Sequence, residues 1–338
     1  MTFMSTTGRA PGPPARTPGP LGPLRMTPGR WVALAVGVPV ALALIGWTGF
    51  NLVSSVAHGS YPFSYAFPVH DGQAAVNVSA NQITLHEAPG SGTARLTGTV
   101  QYGLVRPSIG EFITPTGANV SVSCFSAIGG VCGVNATLTV PARTGVTLWS
   151  NGGDITASGF SSGMTLWADG GNVNVSNLAG ALRLDTGGGD LSGNGLTGIL
   201  QVDTEGGNVD ASNWTGSGTP QVNTGGGDLT ANGLTGNFQL ITEGGNVDAN
   251  GLTSATTSTQ SGGGDVTLAF AQVPQSINIT AEGGNVTLIL PPGDTKYDIS
   301  TPGTDGGNVT YPSSLADSNS LHPITVNSGG GDITITQG

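Results

Sequence analysis

A turn of the form Gly-Gly-[Asp/Asn]-[Ile/Val/Leu] occurs ten times between residues 152 and 333 of this 338-residue chain. Its acidic or amide residue stands at Asp154, Asn172, Asp190, Asn208, Asp228, Asn246, Asp265, Asn285, Asn308 and Asp332. The steps between them are 18, 18, 18, 20, 18, 19, 20, 23 and 24 residues, a period range that marks a stacked repeat array. Such a chain must bury each short unit against its neighbours, so function is expected on a long regular surface and not in a deep cleft.

Aligning the units on that Asp or Asn, taken as position zero, exposes apolar columns. Position plus one is Ile155, Val173, Leu191, Val209, Leu229, Val247, Val266, Val286, Val309 and Ile333. Plus six carries Phe160, Leu178, Leu196, Trp214, Leu234 and Leu252, and minus six runs Leu148, Leu166, Leu184, Val202, Val222, Leu240, Thr259 and Ile279. Polar residues alternate between them, the period-two signature of strands with one buried face. Each unit therefore reads as strand, short turn, strand, Gly-Gly turn. The fold class expected is all-β, a parallel β-solenoid (β-helix) with rungs of about 18–24 residues, and nine steps at about 4.8 Å give a rod of about 43 Å. The glycine pairs are assigned to corners that need positive φ and close approach of one rung to the next.

The Asp/Asn alternation at position zero is matched three residues earlier. Where zero is Asp, minus three is neutral (Asn151, Gly187, Gly225, Gly262, Gly329). Where zero is Asn, minus three is acidic (Asp169, Glu205, Glu243, Glu282, Asp305). Each turn thus holds one carboxylate in these two columns, and it changes column at every step except between Asn285 and Asn308. Skipping a rung separates like charges in one column to about 10 Å, about one Debye length, so the pattern reads as avoidance of stacked carboxylates.

Residues 31–57 contain no ionisable side chain, and Trp31–Phe50 is long enough to cross a bilayer as a helix. Arg9, Arg16, Arg25 and Arg30 precede it without an acidic residue, which orients the N-terminus to the cytoplasm. A secretory signal peptide cleaved near Ser55-Val56-Ala57 is the alternative; either way the remainder is exported. The Pro/Gly/Arg-rich residues 1–30 cannot bury a core and read as a disordered cytoplasmic tail.

Beyond residue 57, five basic side chains face all 20 acidic ones, a balance of −15. That surface excludes nucleic acid and anionic lipid as partners and favours cations or polyols. Cys124 and Cys132 are the two cysteines; in an oxidising compartment a local disulfide is expected, a free pair being the alternative.

The segment LTVPARTGVTLWSNGGDITASGF, the T-x-G-G-[DN]-[VL] units, LILPPGDTKYDIS and HPITVNSGGGDITIT together resemble the DUF4097 family, whose bacterial members carry the provisional name of adhesins. The resemblance runs from about residue 135 to 338. It implies a β-solenoid on the cell surface and brings no catalytic residues. Asn at half of the turns departs from that family's commoner Gly-Asp-Val.

His58, His70, His86 and His322 sit in no motif for hydrolysis or metal binding, so no catalytic residue and no metal site are assigned, and the chain is read as non-enzymatic. No cofactor is expected, weak calcium binding on the acidic turn edge being the open alternative. The candidate ligand surface comprises Trp149 and Trp167, on adjacent rungs at minus five, with Thr230, Asp248, Thr267 and Thr287 of the outward plus-two column. A cap packed over the two indoles is the competing explanation for them. The C-terminal rung, DITITQG, has no evident cap, which leaves homotypic edge pairing open.

The domain plan is residues 1–30 tail, 31–57 transmembrane anchor or signal peptide, 58–145 β-rich cap with the disulfide, and 146–338 solenoid. The function expected is that of a single-pass cell-membrane protein, N-terminus cytoplasmic, presenting an adhesin-like binding surface to an envelope glycan or surface protein. A structural spacer or an envelope-sensing ectodomain working through a protein partner is the alternative.

Overall fold

The computed structural model describes residues 35–48 and 59–338, except 91, 104, 115–116, 124–131 and 217. The chain divides into two units, Met1–Val53 and Ser54–Gly338. In the first, residues 35–48 are helical, and the Thr48 hydroxyl donates back to the Leu44 and Ile45 carbonyls. Among the described residues no helix is long and apolar enough to cross a membrane. The tail at 1–30 and the flanks of the expected anchor, 31–34 and 49–57, lie outside the described residues.

The second unit is built from two facing sheets of 14 and 13 strands, nearly all parallel. Each rung gives one strand to each sheet. The Asn172 rung, for example, places Met164–Ala168 in what we call the back sheet and Val173–Ser176 in the front sheet. Stacking is in register: Leu166 lies between Leu148 and Leu184, and Val173 between Ile155 and Leu191. The plus-one, plus-six and minus-six columns thus fill the space between the sheets, except at Val309 on the outermost rung, which is exposed; Leu148, Ile155, Leu166 and Leu229 are fully excluded from solvent. Burying such a side chain contributes about 1.5–3 kcal/mol, and the exact repeat lets every rung use the same packing.

The two corners are made differently. At the Gly-Gly turn the second glycine is required: a β-carbon on Gly245 would overlap the Gly227 carbonyl oxygen of the rung below. The first glycine meets no such wall, as at Gly244, and among these turns only Gly152 and Gly306 hold positive φ. The expectation that both glycines serve left-handed corners is therefore corrected; close approach governs the second alone. Left-handed residues lie instead at plus five, where Asn177 (φ 53°) and Asn213 (φ 55°) alternate with glycines, the residue types that tolerate this conformation. Inside the turn, the hydroxyls of Thr204, Thr224, Ser261 and Ser328 donate to the carbonyl three residues on, at 2.9, 2.7, 2.7 and 2.7 Å. The Thr of the T-x-G-G motif is thus a buried staple.

Both ends of the rod depart from sequence order. The strands Gln73–Val78 and Gln82–Ala88 form a rung that pairs in parallel with the Asp154 rung on one side. On the other side they pair with Gly117–Ser123 and Cys132–Pro141. Residues 58–145, read as a separate cap, thus contribute two further rungs to the same pair of sheets. Antiparallel strands finish this end: Gly59–Pro68 and Thr93–Tyr102 in the front sheet and Ser108–Thr114 in the back sheet.

At the far end the C-terminal rung is inserted. Pro323–Ser328 pairs with both Ser276–Ala281 and Asp298–Ser300, and Ile333–Gln337 with both Val286–Leu290 and Val309–Thr310. The open edge expected at the C-terminus is therefore corrected: DITIT is paired on both sides, and the outermost rung is Asp298–Ser300 with Val309–Thr310.

Candidate functional surfaces

Three outward features stand on this frame: the turn edge, the front face and the back face. Along the turn edge the position-zero side chains form a continuous hydrogen-bonded ladder. The backbone N–H of Asn172 donates to Asp154 Oδ1 (2.9 Å), that of Asp190 to Asn172 Oδ1 (3.1 Å) and that of Asn208 to Asp190 Oδ1 (2.8 Å). The pattern continues through Asp228, Asn246, Asp265 and Asn285 to Asp332 and then Asn308. The Asn246, Asn285 and Asn308 amide groups also donate to the carboxylate below, at 3.1, 3.2 and 3.2 Å. In spatial order the alternation has no exception, because Asp332 sits between Asn285 and Asn308. These ten residues are exposed yet occupied by the fold. Among the described residues no group of three or more His, Cys, Asp or Glu is placed to hold a metal ion.

On the front face Thr230, Asp248, Thr267 and Thr287 are in-register neighbours, followed by Thr334 and Thr310. Asp248 accepts from the Asn250 side-chain amide at 2.6 Å, and Asp210 from the Ser212 hydroxyl at 2.9 Å. The face is flat and polar, with its carboxylates partnered inside their own rungs.

Trp149 and Trp167, at minus five, lie on the back face, opposite the plus-two Thr/Asp column of the front face. Their rings stack at 4.8 Å between centroids and 6° between planes, as adjacent in-register positions allow. Trp149 keeps 37% of its surface exposed. The segment 58–145, expected to cap the pair, instead extends the same sheet through Gln73–Val78, with Asn77 beside Trp149.

Beside the indoles runs a groove of about 530 Å³ lined by Gln73, Arg143, Thr165, Arg183, Ile199 and Gln201 among others. Arg183 Nη1 donates to Gln201 Oε1 at 3.0 Å. Near its rim, the Glu87 carboxylate accepts the Ser161 amide (2.7 Å) and hydroxyl (2.7 Å) and the Arg143 amide (3.4 Å). Burial pushes the Glu87 carboxyl up, but these hydrogen bonds and the Arg143 charge together outweigh it and hold the group below its ordinary value. Neither the groove nor Glu87 is visible in the repeat pattern, since Arg143 precedes the first Gly-Gly turn.

Cys132 is disulfide-bonded; Cys124 lies outside the described residues.

Residues 200–336 match the family model described as Toastrack DUF4097, which places the family resemblance on that stretch of the repeats. A crystal structure of a Bacteroides fragilis protein provisionally named an adhesin is 16% identical, with 82% of this chain and 97% of that one covered, at a TM-score of 0.35. A Clostridium sporogenes protein provisionally named for cell adhesion is 12% identical, with 82% and 100% covered, at a TM-score of 0.17. Scores this low carry no argument about this chain. No curated protein matches the sequence.

Proposed function

We propose that this chain is a non-enzymatic, adhesin-like protein of the cell surface, held at the membrane through residues 31–57 and using the outer face of its solenoid to bind. The observation that carries the reading is the stacked Trp149–Trp167 pair, partly exposed on the back face between the polar register neighbours Asn77 and Asp185. A core would bury these rings and a pure spacer has no use for them. The uncharged N-terminal stretch and the −15 balance of the exported part support a surface protein that meets polyols or other proteins rather than nucleic acid.

The test is adhesion of the full chain, displayed in lipid nanodiscs on beads, to whole bacterial cells. Saturable capture that Trp149→Ala with Trp167→Ala weakens supports a binding surface. Capture no greater than with empty nanodiscs supports the spacer reading instead.

A further inference from the structure

The turn edge avoids placing one carboxylate on another, yet the back face does not. Asp185 and Asp203 are direct in-register neighbours, the one such carboxylate pair among the described strands. Like charges placed opposite each other on neighbouring strands are destabilising. Asp203 is steadied by the Asn223 side-chain amide at 3.2 Å; both carboxylates are exposed. The column in which they lie continues directly from Trp149 and Trp167, since Trp167 is the register partner of Asp185. Among the described strands this is the one such break, and it adjoins the stacked Trp149–Trp167 pair, which points to a use of the place other than stability.

We infer that this strip, from Trp149 across Trp167 to Asp185 and Asp203, is a binding site for a neutral glycan chain lying along the rod. This rests on the surface-binding reading above and adds the site and the ligand class to it. The chemistry is that of a polyol: two adjacent carboxylates accept hydrogen bonds from neighbouring hydroxyls, while the indoles meet the apolar side of a sugar ring. The parallel column beside it holds Thr165 and then the planar groups of Arg183, Gln201 and Gln221, Arg183 being already oriented by its bond to Gln201. Orientation before binding lowers the entropic cost of recognition. The adjacent groove of about 530 Å³ is in the size range of small-ligand sites and receives the substituents of the chain. Charge decides between glycans, because a −15 surface with two carboxylates in the site repels a polyanion.

The experiment titrates the full chain in nanodiscs with cellohexaose, mannohexaose and xylohexaose, and with hexagalacturonate as the acidic comparator, by calorimetry and tryptophan fluorescence. Saturable binding of at least one neutral hexasaccharide is expected, weakened about tenfold by Trp149→Ala with Trp167→Ala. Asp185→Asn is expected to weaken the same binding while raising the unfolding temperature of the sugar-free protein, a trade-off that a merely structural carboxylate would not show. Calcium alone stabilising the chain in a way that Asp185→Asn abolishes would assign the pair to a cation and overturn the inference. Stronger binding of hexagalacturonate, or no binding of any of the neutral sugars, would overturn it as well. In that last case continued capture by whole cells leaves the surface-binding reading standing, and loss of both removes the two together.

Discussion

The backbone amide of Asn308 donates to Asp332 Oδ1 at 2.8 Å, although Asp332 follows it by 24 residues in the chain. Position zero of the last sequence repeat thus lies beneath that of the repeat before it, and the Asp/Asn alternation becomes regular in space. Each side-chain oxygen up to that of Asp332 caps the next amide N–H, and Asn172, Asn208, Asn246 and Asn285 each keep two Asp residues apart. This ladder gives the first prediction. Asn208→Asp keeps an oxygen acceptor for the Asp228 amide but stacks three carboxylates from Asp190 to Asp228. At about 5 Å each like-charge neighbour costs about 1 kcal/mol in water, so a loss of about 1–2 kcal/mol is expected at low salt. In 1 M salt, where the Debye length is about 3 Å, most of it should vanish. Thermal unfolding at both ionic strengths checks this, and an equal loss at both would remove electrostatics as the reason for the alternation.

The two glycines of one turn should respond in opposite ways. Gly245→Ala drives a β-carbon into the Gly227 carbonyl, whereas Gly244→Ala meets nothing within 4 Å and needs no left-handed backbone. We expect a loss of about 2–3 kcal/mol for the first, typical of forced overlap in a packed frame. The second should lie within about 0.5 kcal/mol of the parent, as for ordinary surface changes. Chemical denaturation of the two variants side by side would expose a wrong assignment if Gly244→Ala were the more damaging.

Much of this was legible because a solenoid writes its register into its period. Leu166 at minus six and Val173 at plus one could be placed between the sheets from alternation alone, and the stacking of Trp149 on Trp167 followed from their common column. The order of the end rungs was not legible, since Val309–Thr310 and Ile333–Gln337 carry the same pattern and either can pair with Val286–Leu290. The trace left in the sequence was the break in alternation between Asn285 and Asn308, joined to the longer steps of 23 and 24 residues. The left-handed column at plus five was written as Gly or Asn, as at Asn177 and Asn213, but small polar residues are common throughout the chain and hid it. The groove depends on Arg143, which lies outside the repeats and reaches Arg183 only through the stacking of rungs.

Thr259 occupies the minus-six column, where its register neighbours are Leu240 and Ile279, and its buried hydroxyl has no hydrogen-bond partner. Thr257, one turn of the pleat away, shares the defect. Replacing the hydroxyl of Thr259 by a methyl, as in Thr259→Val, should stabilise the chain by about 1 kcal/mol, because an unsatisfied buried polar group is removed without change of shape. An unchanged or lowered denaturation midpoint would show that the hydroxyl has a partner after all.

Glu87 links the first rungs to the loop at Ser161, and its depressed pKa fixes the sign of a pH effect. A carboxylate whose folded value is lower than its unfolded value, about 4.3, stabilises fully above the unfolded value. That contribution is lost as pH falls through the folded one. The group is half-buried at the surface, so solvent screening holds the contribution to about 0.5–1 kcal/mol. Glu87→Gln should therefore cost that amount at pH 7, and the difference between the two stability profiles should close as pH falls from the unfolded value through the lower folded one. Parallel profiles from pH 7 to pH 3 would count against the assignment.

A chain ended at residue 322 removes an interior rung, not an end. Without Pro323–Ser328 and Ile333–Gln337, the strands Asp298–Ser300 and Val309–Thr310 lose the partners to which they are bonded. They could close the gap by moving down onto Ser276–Ala281 and Val286–Leu290. That move, however, would put Asp305 over Glu282, stacking like charges that the inserted Gly329 now keeps apart, and Asn308 over Asn285, breaking the Asp/Asn alternation that Asp332 completes. The expectation is that residues 298–310 stay unpaired and that their amides lose hydrogen-exchange protection, while the amides from 164 to 270 keep theirs. Retained protection at 298–310 in the shortened chain would mean that the two rungs are interchangeable and that the turn charges do not set the stacking order.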